Sequence, residues 1–407
     1  MRVNDASGES FQVYPAMTAG PDGTLRAVWV DYRNGEFRYG SDIYYAYSSD
    51  GGQTWSADRR VKDDTPSSAA HRKPRITVSK AGDVDVIWQD YRNDPNPSDP
   101  SKTSEYYQNP EIYLAKLAKG QIAFGANVLV YDQGDWQDSP DVEVDGSGNV
   151  YVAWYDRTGD CHYGNSLVAK STNSGDSFGN PVTADNHTAW ALDPRLAVDR
   201  ANDIISLVFQ GHPQYYKPYF TRSTDGGISW STVERLEAGE SIDWYDAARQ
   251  IKIATDDAGH IFVIWADERL DPDNCYTGCS SGHDEFDIYG TQSSDGGLSW
   301  SSSNVLVNDD STFAYITYPD VGFTPDGTLV AVWRDQRSGD SNGDIYSAVS
   351  TDYSVSWSTN KRVDHAANGF DASWPVVVAN PSGKVYALWQ DFRNDDWDIY
   401  MTQLGSP

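Results

Sequence analysis

Six segments of the chain end alike: Trp29-Val-Asp31-Tyr-Arg33, Trp88-Gln-Asp90-Tyr-Arg92, Trp154-Tyr-Asp156-Arg157, Trp265-Ala-Asp267-Glu-Arg269, Trp333-Arg-Asp335-Gln-Arg337 and Trp389-Gln-Asp391-Phe-Arg393. Each closes a short apolar run of the kind that forms a β-strand. The tryptophans recur roughly 55 to 68 residues apart, with one double gap between Trp154 and Trp265. LVFQGHP falls in that gap, with Phe209 in the tryptophan's place, so the repeat count is seven. Seven units of this length match the blades of a β-propeller.

Each unit reads as four short strands. The first follows a proline or its equivalent: Pro15, Pro74, Pro140, Pro194, Ala248, Pro319, Pro375. A Gly-bearing turn such as PDGT or GSGN leads into the second strand, which ends in the Trp-x-Asp-x-Arg pattern. The third is typified by DIYYAYS (42–48), and a turn joins it to a fourth such as RRVKD (59–63). The expected fold is all-β: a seven-bladed β-propeller of four-stranded antiparallel blades. The blades span roughly 12–63, 72–131, 138–184, 192–237, 246–308, 317–364 and 373–404 plus 2–5, as one domain over 1–407. The last unit stops after its third strand, while RVND (2–5) resembles a fourth, compare LVND (306–309). The N-terminal strand is therefore expected to complete the last blade and hide two sheet edges.

Composition narrows the partners. The net charge is −29 and most of the acid is Asp, so nucleic acid and anionic membranes are repelled. No apolar run reaches membrane-spanning length, and MRVND is not a signal-peptide core. Asp-rich loops are candidate Ca²⁺ ligands, against a plain solvated acidic surface. Three cysteines make no framework; Cys275 and Cys279 are close enough to close one small loop, which leaves Cys161 over. The chain is expected to be monomeric.

An octet links third and fourth strands: SSDGGQTW (48–55), STNSGDSF (171–178), STDGGISW (223–230), SSDGGLSW (293–300) and STDYSVSW (350–357). These octets resemble the Asp box of the sialidase-like (BNR repeat) β-propellers, and with the phased repeats the resemblance covers essentially the whole chain. Asp can bond turn amides and Gly-Gly permits positive φ, so five copies read as hairpin clamps rather than catalytic groups. The resemblance implies the same: Asp boxes lie away from the active site. The opposite face, with the links between strands two and three and between blades, is where a ligand is expected.

Of the 15 tryptophans, six end second strands and four end octets. The other five are Trp136, Trp190, Trp244, Trp374 and Trp397, all placed in loops of the opposite face. Trp136, Trp190 and Trp244 each precede the expected start of a first strand by four residues, as Tyr315 and Phe11 do. Such a ring either packs around the channel mouth or stacks on sugar rings, with Trp136, Trp190, Trp244, Tyr215 and Trp374 as candidate carbohydrate-binding residues. Six near-equivalent Trp-x-Asp-x-Arg copies read as structural ion pairs.

Blade 4 departs from the pattern with Phe209-Gln210-Gly211-His212-Pro213. His187, His212, Tyr245 and Arg249 are the candidate catalytic groups there: His or Tyr to move a proton beside a uronate carboxylate, Arg to neutralise it. Some propeller polysaccharide lyases are similar in using such groups; a degenerate blade with surface histidines is the plainer alternative. The sialidase resemblance implies a Phe/Tyr-Arg-Ile-Pro motif, and the nearest fragment here, Pro74-Arg75-Ile76-Thr77, lacks the aromatic and the final proline. The leading expectation is an extracellular or cell-surface glycan-directed propeller that binds, with or without cleaving, a carbohydrate. A lyase or glycoside hydrolase centred on blades 3–5, rather than a true sialidase, and a structural or adhesion module stiffened by Ca²⁺ are the alternatives.

Overall fold

The computed structural model describes the chain outside residues 7, 9, 36–39, 65–68, 94–108, 133–135, 158–163, 187–189, 212–215, 239–247, 270–285, 312–313, 339–341, 366–368, 395 and 406–407. The described residues form seven antiparallel sheets, six of four strands and one of three, with no helix among them. Blade 1 comprises Gln12–Ala19, Leu25–Asp31, Asp42–Ser48 and Arg59–Arg60. The first strands of blades 2 to 7 are His71–Val78, Trp136–Val144, Ala191–Asp199, Ala248–Thr255, Ile316–Phe323 and Ala372–Ala379. Each first strand contacts that of the next blade, and blade 7 contacts blade 1. The seven-bladed propeller is thus closed around a central channel lined by first strands.

The outer edge of blade 7 is covered by the start of the chain. Val3 N donates to Ile399 O at 2.7 Å and Met401 N to Met1 O at 2.8 Å. Val3 and Met401 share one apolar core with Met17, Trp29 and Tyr386 of blades 1 and 7.

The Trp-x-Asp-x-Arg ending is one hydrogen-bonded unit. Trp29, Trp88, Trp154, Trp265, Trp333 and Trp389 are buried. Each indole N–H donates to the carboxylate two residues on, at 2.6–3.2 Å. In blade 1 the Arg33 guanidinium then grips Asp31 through two N–H groups, at 3.0 and 2.7 Å, and covers the Tyr44 ring. Blade 4 drops donor and acceptor together, with Phe209 for Trp and Gly211 for Asp. Losing only one would leave a buried polar group unpaired, at about 1–3 kcal/mol.

The octets clamp one blade to the one before it. Asp50 Oδ1 accepts the Thr54 amide at 2.9 Å, and the Ser48 hydroxyl accepts the Gly52 amide at 2.8 Å. Gly52 has φ +84°, and a Cβ there would fall 2.4 Å from the Met401 sulfur of blade 7. Blade 6 has no glycines in its octet, and Tyr353 and Ser354 take the left-handed conformation instead, at φ 54° and 67°.

One expectation needs correction. The prolines do not precede the first strands; they are the fourth or fifth residue inside them. The ladder shifts register there, for instance between Val13 and Ala16. Proline has no N–H to lose and so fits where the ladder already breaks. By the same register Ile251, not Ala248, takes the proline's place in blade 5, because Ala248 pairs with Asp267 as Gln12 pairs with Asp31.

Candidate functional site

The bulge in each first strand turns one side chain into the channel mouth. The residues are Tyr14, Lys73, Ser139, Asp193, Gln250, Tyr318 and Trp374, one per blade, all with φ between 48° and 57°. A left-handed non-glycine residue costs about 1–2 kcal/mol. Sevenfold repetition marks the backbone as architecture, whereas the side chains it presents differ from blade to blade. These bulges lie at the entry end of the first strands, away from the octet turns.

Two positions along each strand lies a second tier: Ala16, Arg75, Asp141, Arg195, Lys252, Asp320 and Val376. The upper tier, with Arg75, Arg195, Lys252 and Val376 of the lower one, lines a cavity of about 260 Å³. A larger hollow of about 390 Å³ lies on the octet side, lined by Trp357, Lys361 and Leu404. It brings no set of charged groups together.

The mouth has two unlike sides. Blades 6, 7 and 1 supply aromatics: the Trp374 ring lies 4.4 Å from Tyr318 at 30° and 4.8 Å from Tyr14 at 82°. Neighbouring blades hold the bulges, since the Tyr318 amide donates to Gln250 Oε1 at 2.6 Å and the Tyr14 amide to Gln390 Oε1 at 2.9 Å. In a ring of seven, blade 7 lies across from blades 3 and 4. There Lys73 Nζ donates to Asp138 Oδ1 at 2.6 Å and to Ser139 Oγ at 3.3 Å, and Ser139 Oγ donates to Asp193 Oδ1 at 2.5 Å.

The lower tier is charged from blade 2 to blade 6. Arg75 approaches Asp141 at 3.8 Å and Lys252 approaches Asp320 at 3.9 Å. Both acids also tie the next blade, with Asp141 accepting the Leu196 amide and Asp320 the Val377 amide, each at 2.8 Å. Arg195 Nε is buried with no hydrogen-bond partner among the described residues. Burial pulls Lys252 down to about 8, with Asp320 opposing and Arg75 and Arg195 assisting. Burial and then Arg195 bring Arg75 down to about 10. Burial raises Asp193, but Arg195, then Lys73, the Ser139 hydroxyl and Arg75 hold it below the usual carboxylate range. Arg75, Arg195 and Lys252 thus lie together, interleaved with Asp141, Asp193 and Asp320, facing an aromatic wall.

The family model described as "BNR repeat-containing family member" matches residues 149–396. The chain belongs to this BNR repeat-containing family. Solved structures with a similar fold include the Hadza microbial sialidase Hz136, at 15% identity over 80% of this chain and 64% of that one, TM-score 0.52. The NanB sialidase of Streptococcus pneumoniae is 12% identical over 99% of this chain and 70% of its own, TM-score 0.52. The GH93 α-L-arabinofuranosidase of Fusarium graminearum is 14% identical over 99% and 96%, TM-score 0.50. At these identities the likeness is one of fold. This BNR-repeat chain spans 64% of the length of the Hadza sialidase. No curated protein matches it.

Of the residues that sequence reasoning selects in this BNR propeller, Trp374 lines the cavity, on a strand rather than in a loop. Trp136 opens the first strand of blade 3, edge-on to Tyr155 at 6.2 Å and under Arg157. Trp190 stacks on Tyr216 at 5.9 Å. Neither belongs to the cavity wall. Arg249 is paired with Glu268 at 2.9 Å and lies over the Phe286 ring, also apart from that wall. His187, His212, Tyr215, Trp244 and Tyr245 lie outside the described residues, as do Cys161, Cys275 and Cys279. With Ile251 as the proline equivalent, Trp244 is also not in the position of Trp136 and Trp190. Among the described residues no cluster of three or more His, Cys, Asp or Glu is placed to hold a metal ion.

Proposed function

We propose that this BNR propeller is a secreted or cell-surface glycan-binding domain whose site is the channel mouth. The glycan is proposed to carry a carboxylate, seated on Arg75, Arg195 and Lys252, while a sugar face stacks on Trp374. The observation that carries this reading is the Trp374 wall, flanked by Tyr14 and Tyr318, set across the channel from the cation cluster. Aromatic faces suit the C–H face of a sugar, and guanidinium groups suit carboxylates. Similarity of fold to sialidases and to an arabinofuranosidase is in keeping with it.

Binding is favoured over cleavage by the way the carboxylates are engaged. Asp138 accepts Lys73 and Gln89, Asp193 accepts Ser139, and Asp141 and Asp320 accept backbone amides. Among the described residues Asp193 is the one carboxylate in the cavity wall, whereas glycoside hydrolysis ordinarily uses a pair. The test is calorimetric titration with uronate-bearing and neutral oligosaccharides, alongside an assay for newly formed reducing ends. Binding of an acidic glycan with no new reducing ends supports the reading. No binding by any acidic glycan overturns it.

A further inference from the structure

The seams between blades repeat a small motif, and one copy differs. At the seam of blades 5 and 6, Asp309 and Asn360 exchange bonds: the Asp309 amide donates to Asn360 Oδ1 at 2.7 Å and the Asn360 amide to Asp309 Oδ2 at 2.9 Å. Arg337 caps both side chains, at 2.8 and 2.9 Å. Asp63 and Asn127, capped by Arg92, form the same arrangement between blades 1 and 2. Asn304 does so for the Ala238 amide and Arg269 between blades 4 and 5. At two of these seams the spare Asn amide reaches a backbone carbonyl: Asn304 Nδ2 donates to Leu236 O at 3.1 Å, and Asn360 Nδ2 lies 3.5 Å from Val307 O, whereas Asn127 Nδ2 is buried without a hydrogen-bond partner among the described residues.

At the seam where residues 1–5 meet blade 1, the Asn is an Asp. The Asp5 amide donates to Asp58 Oδ2 at 3.0 Å and the Asp58 amide to Asp5 Oδ2 at 3.1 Å. Arg33 donates to Asp5 at 3.1 Å and to Asp58 at 2.5 Å, and it also holds Asp31. One guanidinium therefore faces three carboxylates, where Arg337 meets two carboxylates and an amide at hydrogen-bond distance. Asp58 Oδ1 is buried without a hydrogen-bond partner. It occupies the place of the Asn nitrogen that reaches for a backbone carbonyl in Asn304 and Asn360. By ladder register the equivalent carbonyl is that of Val3, whose amide pairs with Ile399 as those of Leu236 and Val307 pair with Pro218 and Ile288.

We infer that Asp58 carries a proton on Oδ1 in the closed ring, imitating the Asn of the other seams, and that the seam holding residues 1–5 is tightened by acid and loosened as Asp58 ionises. The groups facing Asp58 are Asp5 from the N-terminal segment and Arg33 from blade 1, and Arg33 in turn holds Asp31 and lies over the Tyr44 ring. Arg2 is engaged with Asp398. Burial, then the Asp5 carboxylate, pushes Asp58 up to about 7, while Asp5 is held low. The pair titrates as a unit. A carboxyl raised in the closed state stabilises that state fully below its ordinary range, near 4. The stabilisation is lost as pH rises to about 7 and is constant beyond that.

The experiment is amide hydrogen exchange of residues 1–6, followed by mass spectrometry, in the full chain and in Asp58→Asn at pH 4 and pH 8. Intrinsic exchange cancels when the two proteins are compared at one pH. Linkage allows up to about tenfold per pH unit between the two limits. We expect near-equal protection at pH 4 and exchange at least about tenfold faster in the wild type at pH 8. Asp5→Asn, which also breaks the carboxylate pair, is expected to flatten the pH dependence; Asp63→Asn, at a seam that already has its Asn, is expected to leave it as in the wild type. A wild-type to Asp58→Asn ratio that is the same at both pH values overturns the inference. So does a pH response unchanged in Asp5→Asn.

Discussion

The Tyr318 and Trp374 rings, from neighbouring blades, lie 4.4 Å apart at 30°, and both residues hold a left-handed backbone to do so. Neither lies on a loop. The proposed recognition surface is therefore part of the innermost strands, which are pinned by ladders on one side and by inter-blade bonds on the other. Such a wall is preorganised, and binding to it loses little side-chain freedom.

Removing the central ring should remove most of the affinity. Trp374→Ala is expected to weaken acidic-glycan binding about tenfold or more, roughly 1.4 kcal/mol, with melting temperature nearly unchanged. Trp374→Phe should retain most of it. Calorimetric titration beside thermal unfolding separates the two effects.

The cations should select charge rather than sugar shape. Arg195→Gln is expected to cut binding of a uronate-bearing oligosaccharide at least about tenfold while leaving its neutral counterpart within about twofold. It should also flatten the salt dependence of acidic-glycan binding. Titrations at two ionic strengths check this.

Binding should weaken through pH 8. Lys252 falls to about 8 through burial, so it loses its charge as pH rises from 7 to 9, and a carboxylate ligand loses one attractive partner. A titration series over that range is expected to show the fall. Lys252→Gln should bind more weakly at pH 7 and show no inflection near 8.

A different acid should govern stability. Asp85, buried beneath the octet of blade 3, has an Oδ1 without a hydrogen-bond partner, and burial pushes it up to about 7 against Lys116. Its raised value means that stability is highest below the ordinary carboxylate range and falls as pH rises to about 7. The fall is at most about 4 kcal/mol. Asp85→Asn should match the wild type near pH 4 and exceed it at pH 8 in urea unfolding.

The fold was largely legible because its signal is redundant. Six copies of one strand ending reveal the period and so locate the seventh unit, where Phe209 and Gly211 replace the Trp–Asp pair. The channel mouth was hidden for the converse reason. Its residues occupy the one position of each repeat that does not repeat, directly before a proline: Tyr14, Lys73, Ser139, Asp193, Tyr318 and Trp374. A proline also looks like a strand boundary, so these side chains read as loop tips when they are bulges. Blade 5 gives the least purchase, since Ile251 stands where a proline marks the phase elsewhere. In the sequence Arg75 stands out only as part of an imperfect motif; its place two residues beyond Lys73, on a channel-lining strand, is what gives it meaning.

The octet glycines should be sensitive for a stated steric reason. A Cβ on Gly297 would lie 2.4 Å from the Phe220 ring of blade 4, at φ +80°. Gly297→Ala is expected to cost about 2–4 kcal/mol through the left-handed backbone and the clash together. Glycan affinity at a temperature where the variant is folded should be unchanged, since the octets lie at the other end of the channel.

The most direct test of the central claim is a crystal structure of the protein soaked with a uronate-terminated oligosaccharide that it binds in solution. The account predicts sugar density at the channel mouth, with a pyranose face on Trp374 and the carboxylate within hydrogen-bond distance of Arg75 or Arg195. Density on the octet face, or at a loop rim without contact to Trp374, would contradict it.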